Sequence, residues 1–123
     1  MSREIKFRAW IKAKKEMQMI DFLDFRYKKI GLNNEEYLKE FSNCELMQFT
    51  GLRDCKGREI YEGDIIEFAL SLIKTIKGSI EFDYGAFYLK TDDKEYNNVL
   101  LANMNFDLVE VIGNIFENSE LLK

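Results

Sequence analysis

At 123 residues, 46% of them hydrophobic and 14% aromatic, the chain has the length of one domain. It has enough apolar surface for a core without metals or disulfides and too many aromatics for a disordered chain. Its 18 basic and 22 acidic residues leave a net charge of −4 and a pI near 5.0, which is wrong for a dedicated nucleic-acid binder.

The charge is unevenly placed. Residues 1–62 carry 13 Lys/Arg and 11 Asp/Glu; residues 63–123 carry 5 and 11. The excess of positive charge sits in Arg3, Lys6, Arg8, Lys12, Lys14 and Lys15, with Glu4 the one acid among them. Such a basic edge meets nucleic acid or an acidic protein, or is a solvated strand face and turn. The low pI favours the solvated reading.

In chain order, Ile5, Phe7, Ala9 and Ile11 alternate with Lys6, Arg8, Trp10 and Lys12, the period of a strand. Residues 12–15 read as a turn. Met17 to Phe25 resumes the apolar pattern as the second arm of a hairpin, with a helix as the alternative. Asn33, Asn34, Glu35 and Glu36 suit a helix start. Tyr37, Leu38 and Phe41 then share one face of a short helix over about 34–42.

The stretch from Glu45 to Phe68 organises the rest. Leu46 to Thr50 is β-prone. Residues 53–57 form a turn, in which Asp54 bonds the backbone two residues on and Gly57 takes a positive φ. Arg58 to Tyr61 pairs back, and Glu62-Gly63-Asp64 turns the chain into Ile65–Phe68. Residues 69–77 extend that strand, form a short helix or project as a loop. Ser79–Asp83, Tyr84-Gly85 and Ala86–Lys90 are a second hairpin. Residues 92–98 are a polar loop. Val99–Leu101 and Leu108–Ile112 are apolar runs, the latter a core strand; Gly113-Asn114 is a turn, and residues 118–122 a terminal helical turn. The expected fold is mainly β: a single, small, antiparallel domain over 1–123, barrel-like (SH3-like) or a sandwich, with one or two short helices.

No His is present. That removes the usual neutral-pH base, the commonest zinc ligand and every Ser-His or Cys-His pair. Two cysteines cannot by themselves complete a four-ligand zinc site, and the seven glycines are scattered as turn formers rather than as a phosphate loop. The remaining catalytic option is an acid-based Mg²⁺ site from Asp54, Glu59, Glu62 and Asp64. Against it, acids recur in turns for backbone reasons. For nucleic acid, the candidate contacts are Arg8, Trp10, Lys12, Lys14 and Lys15, an aromatic between cations. Tyr27 beside Arg26, Lys28 and Lys29 has the same character. The structural alternative is that Trp10 covers a barrel edge and the lysines protect an edge strand.

The opening MSREIKFR is charged from residue 3, with no apolar signal segment, and no apolar run reaches the roughly 20 residues that cross a bilayer. A cytoplasmic location with reduced thiols is therefore expected. Cys55 is expected as an exposed free thiol in its turn.

Four blocks resemble the YopX family of bacteriophage and prophage proteins. They are REIKFRAW, LMQFTGLRDCKGREIYEGDII, GSIEFDYGAFYL and EVIGNIFENSELL, in that order along most of the chain. The second and fourth are long and specific. Ile11 stands where an acid is expected after the Trp, and Ser119 where a Pro is usual; both read as turn or edge positions. The resemblance implies a YopX-like, mostly β protein of phage or prophage origin in the host cytoplasm. It supplies no reaction and no catalytic residues. Its matching positions read as turn formers (Gly51, Asp54, Gly57, Gly63, Asp64, Gly113) and packing residues (Ile60, Tyr61, Ile65). The expectation is a protein that is not an enzyme, needs no cofactor or metal, touches no membrane, and works as a binding or assembly module and homo-oligomer. Nucleic-acid binding is the alternative, and an acid-based Mg²⁺ enzyme the remote one.

Overall fold

A computed structural model of the chain describes residues 3–32 and 38–123. The chain divides into two compact units, Met1–Phe49 and Thr50–Lys123. The mainly β expectation holds in both: all regular structure among the described residues is antiparallel strand or short 3₁₀ turn.

In the first unit, β1 (Phe7–Ile11), β2 (Glu16–Asp24), β3 (Lys29–Leu32), β4 (Lys39–Glu40) and the start of β5 (Cys44–Arg53) take the order β4-β3-β2-β1-β5. Alternation in β1 turns Ala9 and Ile11 inward, where they pack with Ile30, Leu32 and Cys44. The run from Met17 is strand, not helix: β2 pairs with β1 through Met19 and with β3 from Ile20 onward. A register shift between Ile20 and Phe22 lets one long strand serve both neighbours, because an extra residue bends and twists the strand.

β1 is no edge. It is bonded to β2 on one side (Trp10 opposite Met17) and to β5 on the other (Trp10 opposite Glu45). The expectation that Trp10 and the lysines guard an edge strand is therefore corrected. So is the reading of Ile11 as an edge or turn residue, since it is buried in the core. Of the helix expected over 34–42, residues 33–37 lie outside the described residues. Lys39 and Glu40 are strand, paired with Ile30 and Lys29, and Phe41–Asn43 is a 3₁₀ turn. A short helical run has little stability of its own, and here the backbone of β3 offers partners in its place.

The second unit begins with the end of β5, beside β6 (Glu59–Tyr61). Thr50 Oγ1 donates to the Ile60 carbonyl at 2.7 Å. Then β7 (Asp64–Ala69), β8 (Thr75–Asp83), β9 (Ala86–Lys90), β10 (Val99–Leu100) and β11 (Val109–Asn114) form a sheet ordered β10-β9-β8-β7-β11. Its core is Ile60, Ile66, Ile80, Leu89, Leu101, Met104 and Val109. The Tyr84-Gly85 hairpin is as expected: φ is 48° and 78° at the two residues, the pair of positive angles that a tight primed turn demands. Residues 69–77 resolve into the end of β7 at Ala69, a hairpin tip over 70–74 and the start of β8 from Thr75. The strand expected to end before Gly113 continues through Asn114, with a register shift between Val111 and Gly113. The terminal turn Ser119–Leu122 is 3₁₀.

The expected barrel does not close. β4 and β10 are two residues long, too short to carry a further ladder. The outer edge of β11 is taken by a loop instead of a strand: Cys55 N–H donates to the Val109 carbonyl and Val111 N–H to Asp54 Oδ2, both at 2.9 Å. Such cover is a common way to blunt an edge. No helix among the described residues is long and apolar enough to cross a membrane.

Candidate functional site

The five basic and aromatic candidates fall into two groups. Arg8 and Trp10 alternate with the core-facing Ala9 and Ile11, so they lie on the opposite face of an interior strand, and both are half-buried. Arg8 stands between Met19 and Met47, Trp10 between Met17 and Glu45. Lys12, Lys14 and Lys15 lie in the exposed β1–β2 turn. Lys12 Nζ donates to the Ser42 carbonyl at 3.3 Å and pairs with Glu45 at 3.5 Å. Lys15 has φ 54° and donates its N–H to the Ile11 carbonyl at 2.8 Å. The turn is thus a shaped basic surface, but Trp10 is not laid open beside it as a stacking platform. The second set, in the β2–β3 turn, is more exposed: the Arg26 guanidinium lies 5.3 Å from the ring centre of Tyr27.

The four central acids do not converge. Asp54 Oδ1 accepts from the N–H groups of Lys56 (2.9 Å) and Arg58 (2.8 Å), and Oδ2 from that of Val111 (2.9 Å). Burial pulls this carboxyl upward, but the N–H groups of Val111, Arg58 and Lys56 and the Arg58 charge hold it below the ordinary carboxylate range. Asp64 Oδ2 accepts from Tyr61 N–H at 2.7 Å. That bond braces the corner at Gly63, whose φ of 87° suits glycine. Glu59 pairs with Arg53 at 3.3 Å. Among the described residues no group of three or more His, Cys, Asp or Glu side chains could hold a metal ion. Of the four, Asp54 and Asp64 are used on backbone geometry.

The same holds for the last block of the resemblance. Asn114 Oδ1 accepts from the N–H groups of Phe116 and Glu117, and Asn118 Oδ1 from that of Asn114. A Cβ on Gly113 would meet Asn118 Oδ1 at 2.5 Å, so the glycine is there to admit that amide. Cys55 is exposed and unbridged, as expected, and Cys44 is buried. Beside Cys55 lies a groove of about 290 Å³ bordered by Glu67, Asp107 and Glu110. Glu67 and Glu110 are direct cross-strand partners, a like-charge pairing that destabilises a sheet. Lys56, 2.9 Å from Glu110, relieves it.

Two apolar surfaces escaped the sequence reading. Leu72 and Ile73, at the tip of the β7–β8 hairpin, are 106% and 97% exposed. In the first unit, a groove of about 510 Å³ runs between residues 5–7 and residues 19–23, with Ile5, Met19 and Phe22 on its exposed rim. The one available signal was in residues 69–77, where Leu72 and Ile73 are adjacent. Strand alternation can bury only one of two neighbours, so a strand there had to expose an aliphatic side chain.

The family model described as YopX protein matches residues 6–123. Among solved structures, protein EF1440 from Enterococcus faecalis is similar, with 28% identity and a TM-score of 0.67 over 99% of this chain and 100% of its own. Protein yopX from Bacillus subtilis is similar in fold, with 18% identity and a TM-score of 0.69 over 96% of this chain and 98% of its own. No curated protein matches the chain.

Proposed function

The chain belongs to the YopX family, and on that footing we propose that it is a non-catalytic binding and assembly module, encoded by a bacteriophage or prophage and acting as a homo-oligomer in the host cytoplasm. The observation that carries this reading is the exposed apolar surface, above all Leu72 and Ile73. Large apolar side chains left together on an ordered surface mark interaction sites. The hydrogen-bonded carboxylates Asp54 and Asp64 support the same reading, because their acceptor capacity is directed at backbone N–H groups. Sedimentation equilibrium across micromolar concentrations tests it. A mass above the monomer's 14.6 kDa is expected, and a single monomeric species throughout would remove the oligomer.

A second reading is nucleic-acid binding through the basic turns. The exposure of Lys12, Lys14 and Lys15, and of Tyr27 under Arg26, favours it. Binding of this kind weakens steeply with salt as counterions are released. An absent or salt-independent gel shift with single- and double-stranded probes would rule it out.

A further inference from the structure

We propose that the β1–β2 and β2–β3 turns form one surface that binds single-stranded nucleic acid. Phe25 and Tyr27 stack on its bases, and Lys14, Lys15, Arg26 and Lys28 meet its phosphates. This rests on the nucleic-acid reading above, joins its two basic turns into one site and names the form of strand bound.

The two turns lie at opposite ends of the nine-residue β2, about 30 Å apart along a straight strand. The 3₁₀ turn Phe41–Asn43 draws them together. Phe41 N–H donates to the Lys28 carbonyl at 2.9 Å, and Lys12 N–H to the Asn43 carbonyl at 3.2 Å. Lys12 Nζ donates to the Ser42 carbonyl as well, at 3.3 Å. Three residues reach at most about 11 Å, so with those two bonds the turn backbones lie within roughly 17 Å of each other. One short strand crosses both.

The stacking groups are held ready. Phe25 and Tyr27 are 70% and 64% exposed. The Phe25 and Phe41 rings meet edge to face, with centres 6.2 Å apart, and Arg26 lies over Tyr27. Asp24 Oδ1 accepts from the N–H groups of Arg26 and Tyr27 at 2.9 and 3.1 Å. That fixes the turn carrying both rings, so binding does not have to order it first. Stacking on such rings needs an unpaired base with a face to offer, which a single strand has and a duplex does not.

Charge supports a polyanion on this unit. The chain's net negative charge sits elsewhere: residues 50–123 carry 8 Lys/Arg and 14 Asp/Glu, residues 1–49 carry 10 and 8. Around the two turns and their bridge, Lys12, Lys14, Lys15, Arg26, Lys28 and Lys29 face four acids, and each acid already answers a neighbour. Glu45 pairs with Lys12, Glu40 stands opposite Lys29, Glu16 accepts from Gln18, and Asp24 holds its own turn. Lys14, Lys15, Arg26 and Lys28 are all exposed. An acidic protein would meet these cations alone; the exposed rings among them favour a polyanion that carries flat bases.

The test is fluorescence anisotropy with labelled oligo-dT, oligo-rU, a DNA duplex of equal length and poly-aspartate. Each is titrated with the full chain and with Tyr27→Ala and Lys14→Gln/Lys15→Gln variants. All three substituted side chains are exposed, so the variants keep the fold, and thermal melts check it. With about four phosphate contacts, affinity for single strands should fall about fifty-fold between about 50 and 200 mM salt, a log–log slope near −3. Tyr27→Ala is expected to weaken that binding about 5- to 150-fold at fixed salt with the slope unchanged. The lysine pair should roughly halve the slope. Both variants act on a complex of one strand per chain, and the tighter of the dT and rU complexes names DNA or RNA. Salt-dependent binding that Tyr27→Ala does not move, or a duplex bound as tightly as the single strands, overturns the stacking surface while leaving the nucleic-acid reading standing. Two strands bound per chain, with each variant losing one of them, overturns the joining of the turns. Poly-aspartate bound as tightly as oligo-dT makes an acidic protein the partner and overturns the proposal. No salt-dependent binding to any probe sinks the proposal and the nucleic-acid reading together.

Discussion

Replacing Asp54 by Asn removes one charge and turns one acceptor into a donor. In the native protein three backbone N–H groups point at this carboxylate, at 2.8–2.9 Å. The Asn oxygen can keep the two from Lys56 and Arg58, but as neutral bonds, each weaker by roughly 1 kcal/mol. Its amide nitrogen then faces Val111 N–H, leaving a donor unpaired at about 1–3 kcal/mol. The expected loss is about 3–5 kcal/mol at pH 7. With about 4 °C of Tm per kcal/mol for a chain of this size, the Tm falls by more than about 10 °C. Thermal unfolding followed by circular dichroism or calorimetry measures it.

The pH dependence adds a second check. The folded Asp54 pKa is depressed by its backbone donors against the pull of burial. Its contribution is therefore fully present above the unfolded value of about 3.9 and is lost as pH falls through the folded value. The gap between parent and Asp54→Asn should narrow in that window. An Asn variant that melts within about 1 °C of the parent at pH 7, or a gap that stays constant into acid, would refute the assignment of Asp54 as the clip between the 53–58 turn and β11.

Two further outcomes follow from other contacts. Gly113→Ala drives a Cβ into the Asn118 side chain and is expected to cost about 1–3 kcal/mol. Combined with Asn118→Ala, which removes the two nearest clashing atoms, the losses should sum to less than the separate effects in urea unfolding. Of the two thiols, Cys55 should react with a colorimetric disulfide reagent in the native protein. Cys44, buried and with its thiol pushed up by that burial and by Glu45, should react only on unfolding. Equal native rates would contradict its placement.

Local structure was legible in the residues because it is decided over a few neighbours. Alternation in Phe7–Ile11 and Ser79–Lys90, and positive-φ glycines at 57, 63 and 85, announce strands and turns through the chain's own sterics. The helix expected from Tyr37, Leu38 and Phe41 failed in its described part for the opposite reason. A pattern spanning one or two turns is overruled when a neighbouring strand offers the same backbone partners.

What a window of residues cannot contain is which strand becomes interior and what stands far along the chain. Asp54 was legible as a turn former, but its bond to Val111 spans 57 positions. The candidate cluster Arg8–Lys15 looked like one surface in sequence. It divided because β5 pairs along β1 and half-covers Arg8 and Trp10 while leaving the lysines in solvent. Likewise Leu72 and Ile73 are as apolar as the core isoleucines, and only their place at the tip of a hairpin leaves them bare. Sequence alone determined the strands, the turns and the absence of histidine chemistry, since these depend on residue type and nearest neighbours. Tertiary structure decided which side chains are buried and which surfaces are exposed, since those depend on pairings between distant segments.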